Sequence, residues 1–476
     1  MNRRTKIVAT IGPASDDPST LAALMEAGMD VARLGLAHNA LDEVLERYRR
    51  IRKVSEETGH NVGVLVDLPG PKVRLGNFGD APIALAGGHR FTLVPGLDSA
   101  DPTTVGVDYH GLLEDVHEGD LLAVGDGSVM LRIDAIASDH AEASISHGGP
   151  VQGRPGLHIP SDRLSIASPT EDDLHKLDAF VDAGVDMVAL SFVRSAHDIR
   201  RVGTEPYPRG PLLVAKIETR AAVENLEGII EAAGAIMIAR GDLGAELGIE
   251  ELPHLQKRIT RECISGGKPV ITATQMFESM ITSPAPTRAE VSDAANAIFD
   301  GSSAVMLSAE TAVGHNPVAT VATMARVAER ADAEFDYDAW ARRIRLIRSA
   351  ELPGSDSGNR ITDAMTAATW RAATEMGVAA IVCISESGFT VRSIARFRPK
   401  MPIIGFSPRS RTVRQLSLSW GTVPVQASGH VDSIETMDEM IVAAREAGHV
   451  RSGDVVAVLA GTGGRSTDML RLAEVP

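Results

Sequence analysis

The chain has 476 residues, 44% hydrophobic and 23% charged, and its 47 basic and 63 acidic residues leave a formal net charge of −16. That length exceeds one ordinary core, so two or three domains are expected, and the charge argues against nucleic-acid or anionic-membrane partners. Two cysteines far apart in sequence, Cys263 and Cys383, speak against a zinc site or disulfide framework and fit a reducing cytoplasm.

Taken in order, apolar runs with strand character recur at 7–11, 31–34, 62–68, 187–192, 212–217, 235–239, 269–273 and 304–307. The first is too short for a signal core, and no run approaches a membrane span. Helical patterns at 19–27, 41–57, 196–202, 221–233, 251–266 and 288–299 separate most of the strands. Strand and helix alternating through eight repeats predict an α/β protein built on a closed (β/α)8 TIM barrel, here residues 1–76 and 159–345. Residues 77–158 break the alternation with short β-like segments at 90–94, 121–124, 129–133 and 141–146. They predict an inserted small β-rich cap domain over the barrel mouth, where closure excludes water. Residues 346–359, rich in Gly, Ser and Pro from 351 onward, predict a linker. The rest, 360–476, predicts a C-terminal open α/β domain with strands at 380–385, 402–406 and 454–459 and helices at 361–376 and 433–447. Its Gly/Ser loops at 385–390 and 461–467 follow strands and suit either an anion or an ordinary turn.

The densest chemistry lies at 212–246. Strands alternate faces, so Lys216 and Glu218 leave the fifth strand on one side. The sixth ends in Arg240, Gly241 and Asp242, where glycine lets backbone amides approach a ligand. A Lys and a Glu two apart are most often only a surface ion pair. Here, however, they terminate near-continuous apolar strands at the end where barrel enzymes keep their catalytic groups. Two carboxylates at neighbouring strand ends, Glu218 and Asp242, suit Mg²⁺ or Mn²⁺.

Five blocks, KIE at 216–218, ARGDLGAE at 239–246, TATQMFESM at 272–280, PTRAE at 286–290 and MLSAET at 306–311, give the chain a resemblance to pyruvate kinases over nearly its whole length. The resemblance implies a cytoplasmic homotetramer that transfers the phosphoryl group of phosphoenolpyruvate to ADP, giving pyruvate and ATP. It implies Glu218 and Asp242 as Mg²⁺ ligands and Lys216 as the cation on the phosphoryl group in flight. Gly241, Asp242 and Thr274 are implied at the substrate carboxylate, with Thr274 also near the carbon that takes the proton. Arg33, His38 and Arg74 are implied to face the phosphoryl group and nucleotide, the local cations an acidic protein needs for such a substrate. In the C-terminal domain it implies an effector site for a sugar phosphate or nucleotide at Ser385, Ser387, Gly388 and Thr390, beside the added negative charge of Glu386.

Two stretches depart from the family pattern. Where relatives read Arg-Leu-Asn-Phe-Ser-His-Gly, this chain has RLGLAHN at 33–39, and where they read Asp-Thr-Lys-Gly-Pro-Glu it has DLPGPK at 67–72. Of the oxygen donors that hold K⁺ in potassium-activated members, only Asp67 remains, a vestigial monovalent-cation position. Lys72 supplies a tethered cation that is expected to stand beside Asp67 in place of the ion, so K⁺ is expected not to be required. The altered loops leave two alternatives open: a metal-dependent, enolate-forming lyase or aldolase barrel, and a catalytically weakened regulatory paralogue.

Overall fold

The computed structural model describes residues 3–476 except 38, 39, 102, 126, 128, 162, 352–356, 428–433 and 462–466. Eight parallel strands close into the expected barrel: β1 (Lys6–Thr10), β2 (Val31–Gly35), β3 (Gly63–Leu68), β4 (Met187–Leu190), β5 (Leu212–Ile217), β6 (Ala235–Ala239), β7 (Val270–Ala273) and β8 (Ala304–Leu307). β8 pairs back onto β1 in register Lys6 to Ala304. Both faces of every strand are covered, which is why the runs read as continuously apolar rather than alternating. Val8, Leu65, Met187, Val214, Met237 and Met306 fill the interior, and Leu418 from the C-terminal domain joins that cluster.

Between β3 and β4 the chain builds the cap. Six strands lie in the spatial order Leu157–His158, Leu121–Val124, Val129–Ile136, Ala141–His147, Arg90–Pro95 and Thr104–Val107. A separate two-stranded ribbon pairs Ile83–Leu85 with Gly149–Val151. The cap carries its own core, with Leu93, Val107, Leu122, Leu131 and Ile133 fully buried.

The linker expected at 346–359 is helical at both ends. One helix spans Tyr337–Glu351 and the next begins at Ser357 and runs to Met376, four residues earlier than its apolar pattern suggested. Gly and Ser in the first turn cost little there, because helix starts tolerate residues that helix interiors do not. Beyond it, five strands form the C-terminal sheet in the order Thr422–Gln426, Ile403–Ser407, Ala380–Ile384, Val455–Ala460 and Met469–Glu474, the last antiparallel. Among the described residues no helix is long and apolar enough to cross a membrane.

The C-terminal domain docks beneath the barrel through buried charge. Asp186, just before β4, is fully buried and accepts from Arg414 Nε at 2.6 Å, from the Val64 amide at 2.9 Å, and pairs with Arg52 at 3.3 Å.

Candidate active site

At the C-terminal ends of β3 and β5 the structure gathers the predicted charges. Lys216 Nζ donates to Ser191 Oγ at 2.6 Å and lies 3.3 Å from Glu218 Oε2 and 3.6 Å from Asp67 Oδ1. Asp67 is in turn held by Arg33, whose Nε donates to Oδ2 at 2.7 Å while its Nη1 donates to Thr10 Oγ1 at 3.0 Å. Burial alone would push the Lys216 ammonium down, but Asp67, Glu218 and Asp242 outweigh it and hold it above the ordinary lysine range. Burial raises the Glu218 carboxyl, and the Asp242 charge adds to this against the pull of Lys216. For Asp67 burial acts upward too, yet Lys216 and Arg33 prevail and lower it. The cluster is thus a locked cation between carboxylates.

Glu218 is fully buried, and its two oxygens have different fates. Oε1 accepts the Phe192 amide at 2.6 Å, whereas Oε2 lacks a hydrogen-bond donor among the described residues. A buried carboxylate oxygen left with only an ion pair is costly, and with Asp242 beside it this donor set fits a hard divalent cation. Phe192 itself sits at a left-handed φ of 53°.

Across the mouth, Thr274 also adopts a left-handed backbone, φ 65°, followed by Gln275 at 53°. For a β-branched residue this conformation is strained and persists only where surroundings impose it. Arg240 imposes it: buried, it donates to the carbonyls of Ala273 at 3.1 Å, Thr274 at 2.6 Å and Gln275 at 3.4 Å, and is anchored by Asp293 at 2.7 Å. The turned Thr274 presents Oγ1 to the Gly241 amide at 3.0 Å, in the first turn of the helix Arg240–Leu247 that also carries Asp242.

The remaining predicted residues divide. Lys72 is exposed and does not reach Asp67; a Cβ placed on Gly156 of the cap would lie 3.1 Å from its Cε. The reason is local: Gly70, at φ 67°, turns the chain, Lys72 N–H closes onto the Gly70 carbonyl at 2.8 Å, and Lys72 is carried out toward the cap. There it lines a cavity with Asp242, Phe192 and His158. Asp67 is neutralised instead by Arg33 and Lys216. Arg74 lies in the cap hinge, its Nη1 on the Arg154 carbonyl at 3.2 Å. His38 lies outside the described residues.

Sequence reasoning passed over Ser191, Phe192 and Arg240. The first two end the run at 187–192 and gave only an apolar signal with one hydroxyl; Arg240 was visible at its strand end, but three of its partners are backbone carbonyls and its carboxylate partner, Asp293, lies far along the chain, which no local pattern advertises.

Against known families, a model described as "Pyruvate kinase, barrel domain" matches residues 2–321 and one described as "Pyruvate kinase, alpha/beta domain" matches 363–473. The chain belongs to the pyruvate kinase family. It is 36% identical over 463 residues to "Pyruvate kinase" of Clostridium acetobutylicum, covering 96% of both chains. To that of Geobacillus stearothermophilus it is 38% identical over 481 residues, covering 100% of this chain and 80% of the relative. To that of Mycobacterium intracellulare it is 40% identical over 471 residues, covering 97% and 95%.

Two of the pyruvate kinase motifs have structural explanations here. In PTRAE, Thr287 and Glu290 form a reciprocal capping box on the helix Arg288–Phe299, and Glu290 also takes the Ser279 amide and hydroxyl at 2.7 and 2.6 Å. The last residue of ARGDLGAE, Glu246, accepts from His158 and Ser161 at the cap hinge and from the Arg220 amide after β5. In the C-terminal loop, Gly388 is left-handed at φ 75°, Ser387 Oγ accepts the Phe389 amide at 3.3 Å, and Ser385 is buried. The Thr390 hydroxyl is shared with Thr467 at 2.6 Å, and Glu386 pairs with Arg409. Most of the second loop, 462–466, lies outside the described residues.

Proposed function

We propose that the chain catalyses transfer of the phosphoryl group of phosphoenolpyruvate to ADP, yielding pyruvate and ATP. The observation that carries this reading is Lys216 locked among Asp67, Glu218 and Asp242 at the barrel mouth, opposite the strained Thr274. A lyase or a silent paralogue has no need of so costly an arrangement. Phosphoryl transfer asks mainly for positioning and charge stabilisation.

Glu218 and Asp242 would hold Mg²⁺ or Mn²⁺, which when bound neutralises phosphate and enolate oxygens. Lys216, charged throughout the working pH range, meets the phosphoryl group in flight. Arg33 adds a second cation, pre-oriented by Asp67 and Thr10. The Asp242 amide and the Gly241 amide, which donates to Thr274 Oγ1 in this structure, would receive the substrate carboxylate at the helix start, and Thr274 Oγ1 would stand by the carbon that accepts the proton. Arg74 and, from the family resemblance, His38 would meet the nucleotide, and cap closure over Lys72 and Asp242 would exclude water.

The K⁺ reading rests on Gly35, Ala37 and Leu68, which offer no side-chain oxygens, and on Asp67, whose charge two protein cations already meet. Lys72 then contributes positive charge to the cap cavity rather than to Asp67. The protein acts as a cytoplasmic homotetramer, with the loop at Ser385, Ser387, Gly388 and Thr390 receiving the phosphate of a sugar-phosphate or nucleotide effector.

The test is ADP-dependent pyruvate formation, coupled to lactate dehydrogenase, at saturating Mg²⁺. Activity should be abolished by chelation and should be equal in KCl and in a bulky quaternary ammonium chloride. Pyruvate formation without ADP would favour a lyase. A many-fold rise in KCl would overturn the K⁺ assignment while leaving the reaction intact.

A further inference from the structure

Where the N-terminal ends of β7 and β8 meet the C-terminal domain, a cavity of about 10 Å³ is lined by Lys268, Arg392, Arg396, Arg398, Ser419 and Trp420. Four of these are cationic, and no carboxylate lines the space. Arg396 has its own counter-ion in Asp363. Lys268 Nζ donates to the Ala233 carbonyl at 2.5 Å. The other four residues are the notable ones. Arg392 Nη1, Arg398 Nη1, Trp420 Nε1 and Ser419 Oγ are all buried without a hydrogen-bond partner among the described residues. Their residues are only 4%, 1%, 2% and 1% exposed.

Buried donors without acceptors are rare because desolvation is then uncompensated. Each of these is otherwise firmly held. Arg398 donates Nη2 to the Ser302 carbonyl at 2.6 Å and lies 4.7 Å from the Phe335 ring and 4.8 Å from that of Trp420. Arg392 donates Nη2 to the Ser387 carbonyl at 2.8 Å and covers the Tyr207 ring at 4.8 Å. Burial pulls Arg398 down to about 10 and lowers Arg392 and Lys268 as well, the mark of positive charge taken from water with too little negative charge nearby.

A water molecule is a poor answer. It accepts at most two bonds and brings two protons of its own into a space already crowded with donors. A halide accepts from every side and donates nothing. The space is small and enclosed by side chains, too small for phosphate or sulfate but open to a single compact ion. We propose that this cavity is a binding site for one compact monovalent anion of chloride's size, joining the C-terminal domain to the barrel.

Its position gives the anion something to couple. On the barrel side, Lys268 stands two residues before β7, the strand that leads to Thr274, and Arg398 grips the carbonyl of Ser302 ahead of β8. On the other side, Arg392 packs under the loop at 385–390, where a Cβ on Gly388 would come within 2.7 Å of its Nη1. This inference does not depend on the reaction the barrel performs.

The experiment compares melting temperature in sodium chloride, bromide, gluconate and phosphate at equal ionic strength, with bromide-soaked crystals measured at the bromine edge. Chloride and bromide should raise Tm by ~2–4 °C over gluconate, and an anomalous peak should lie among Arg392, Arg398 and Trp420. Trp420→Phe combined with Ser419→Ala keeps the ring and removes two donors, so most of the halide-specific rise should vanish. No anomalous peak, a rise with phosphate alone, or an undiminished rise in a folded double variant would each overturn the proposal. Should that variant not fold, the bromide map of the wild type decides alone.

Discussion

Arg240 shows how one side chain can govern a site without touching substrate. Its guanidinium spends three donors on the carbonyls of Ala273, Thr274 and Gln275. That grip holds two non-glycine residues at positive φ and aims Thr274 Oγ1 at the Gly241 amide. Arg240→Met keeps the stem and loses the grip, so the turn should relax toward an ordinary backbone. Misplacement of a reacting group by about 1 Å can cost on the order of 10²-fold, and a fall of that size in kcat is expected. The KM for ADP should change little, because the nucleotide is received by other elements. Steady-state kinetics with each substrate varied in turn separates the two constants. An equal loss in both would mean that Arg240 serves the fold alone. At this scale the sequence was partly legible: Lys216, Glu218 and Asp242 end apolar strands and announce themselves. The turn of Thr274 did not, since it is imposed from another strand end, and Lys72 was misplaced because the Gly70 turn sends it to the cap rather than to Asp67.

Among elements, the helix Arg288–Phe299 illustrates how a motif can be conspicuous for a structural reason. Glu290 closes the capping box with Thr287 and also receives the amide and hydroxyl of Ser279, fixing the short helical turn Glu278–Ile281 beyond Thr274. Replacing it with Ala strands those donors and should destabilise the protein by about 1–3 kcal/mol. The effect has a sign in pH. Partial burial alone would raise the Glu290 carboxyl, but the bonds from Ser279 and Thr287 lower it from its ordinary 4.5. A depressed carboxyl stabilises the fold above the unfolded value and loses that contribution as pH falls through the folded one. The gap in urea midpoint between wild type and Glu290→Ala should therefore be constant above 4.5 and close below it. A gap that widened in acid would contradict this account. The barrel strands and the cap were readable because buried parallel strands and short alternating ones leave different signatures. Thr422–Gln426 and Met469–Glu474 were missed: both are edge strands, and their mixed exposure breaks the pattern. The linker was overextended at its far side because the next helix starts on Ser357 and Gly358, and at its near side because 346–351, LIRSAE, continues the preceding helix.

At the scale of the whole molecule, the union of barrel and C-terminal domain rests on charge placed where sequence gives no hint of it. Asp186 is fully buried and lies in the turn before β4, yet its partners come from three distant places: Arg52 on the helix Leu41–Thr58, the Val64 amide at the start of β3, and Arg414 in the helix Ser410–Gln415. Gln415 adds a bond from the C-terminal domain to the Asp186 carbonyl at 3.0 Å. A buried ion pair gains little over apolar packing, but removing one member leaves charge uncompensated, at about 3–5 kcal/mol. Asp186→Asn keeps the shape and discards the charge, so it confronts Arg52 and Arg414 with a neutral amide and should cost that amount. Arg414 is 26% exposed, so Arg414→Met leaves Asp186 with Arg52 and the Val64 amide and should cost less than half as much. Combining the two should cost no more than Asp186→Asn alone, because Arg414 has lost its partner already. Urea unfolding of the three variants makes the comparison. Costs that simply add would show that the two residues act separately, and that the domains are held together by the apolar contact around Leu418 instead.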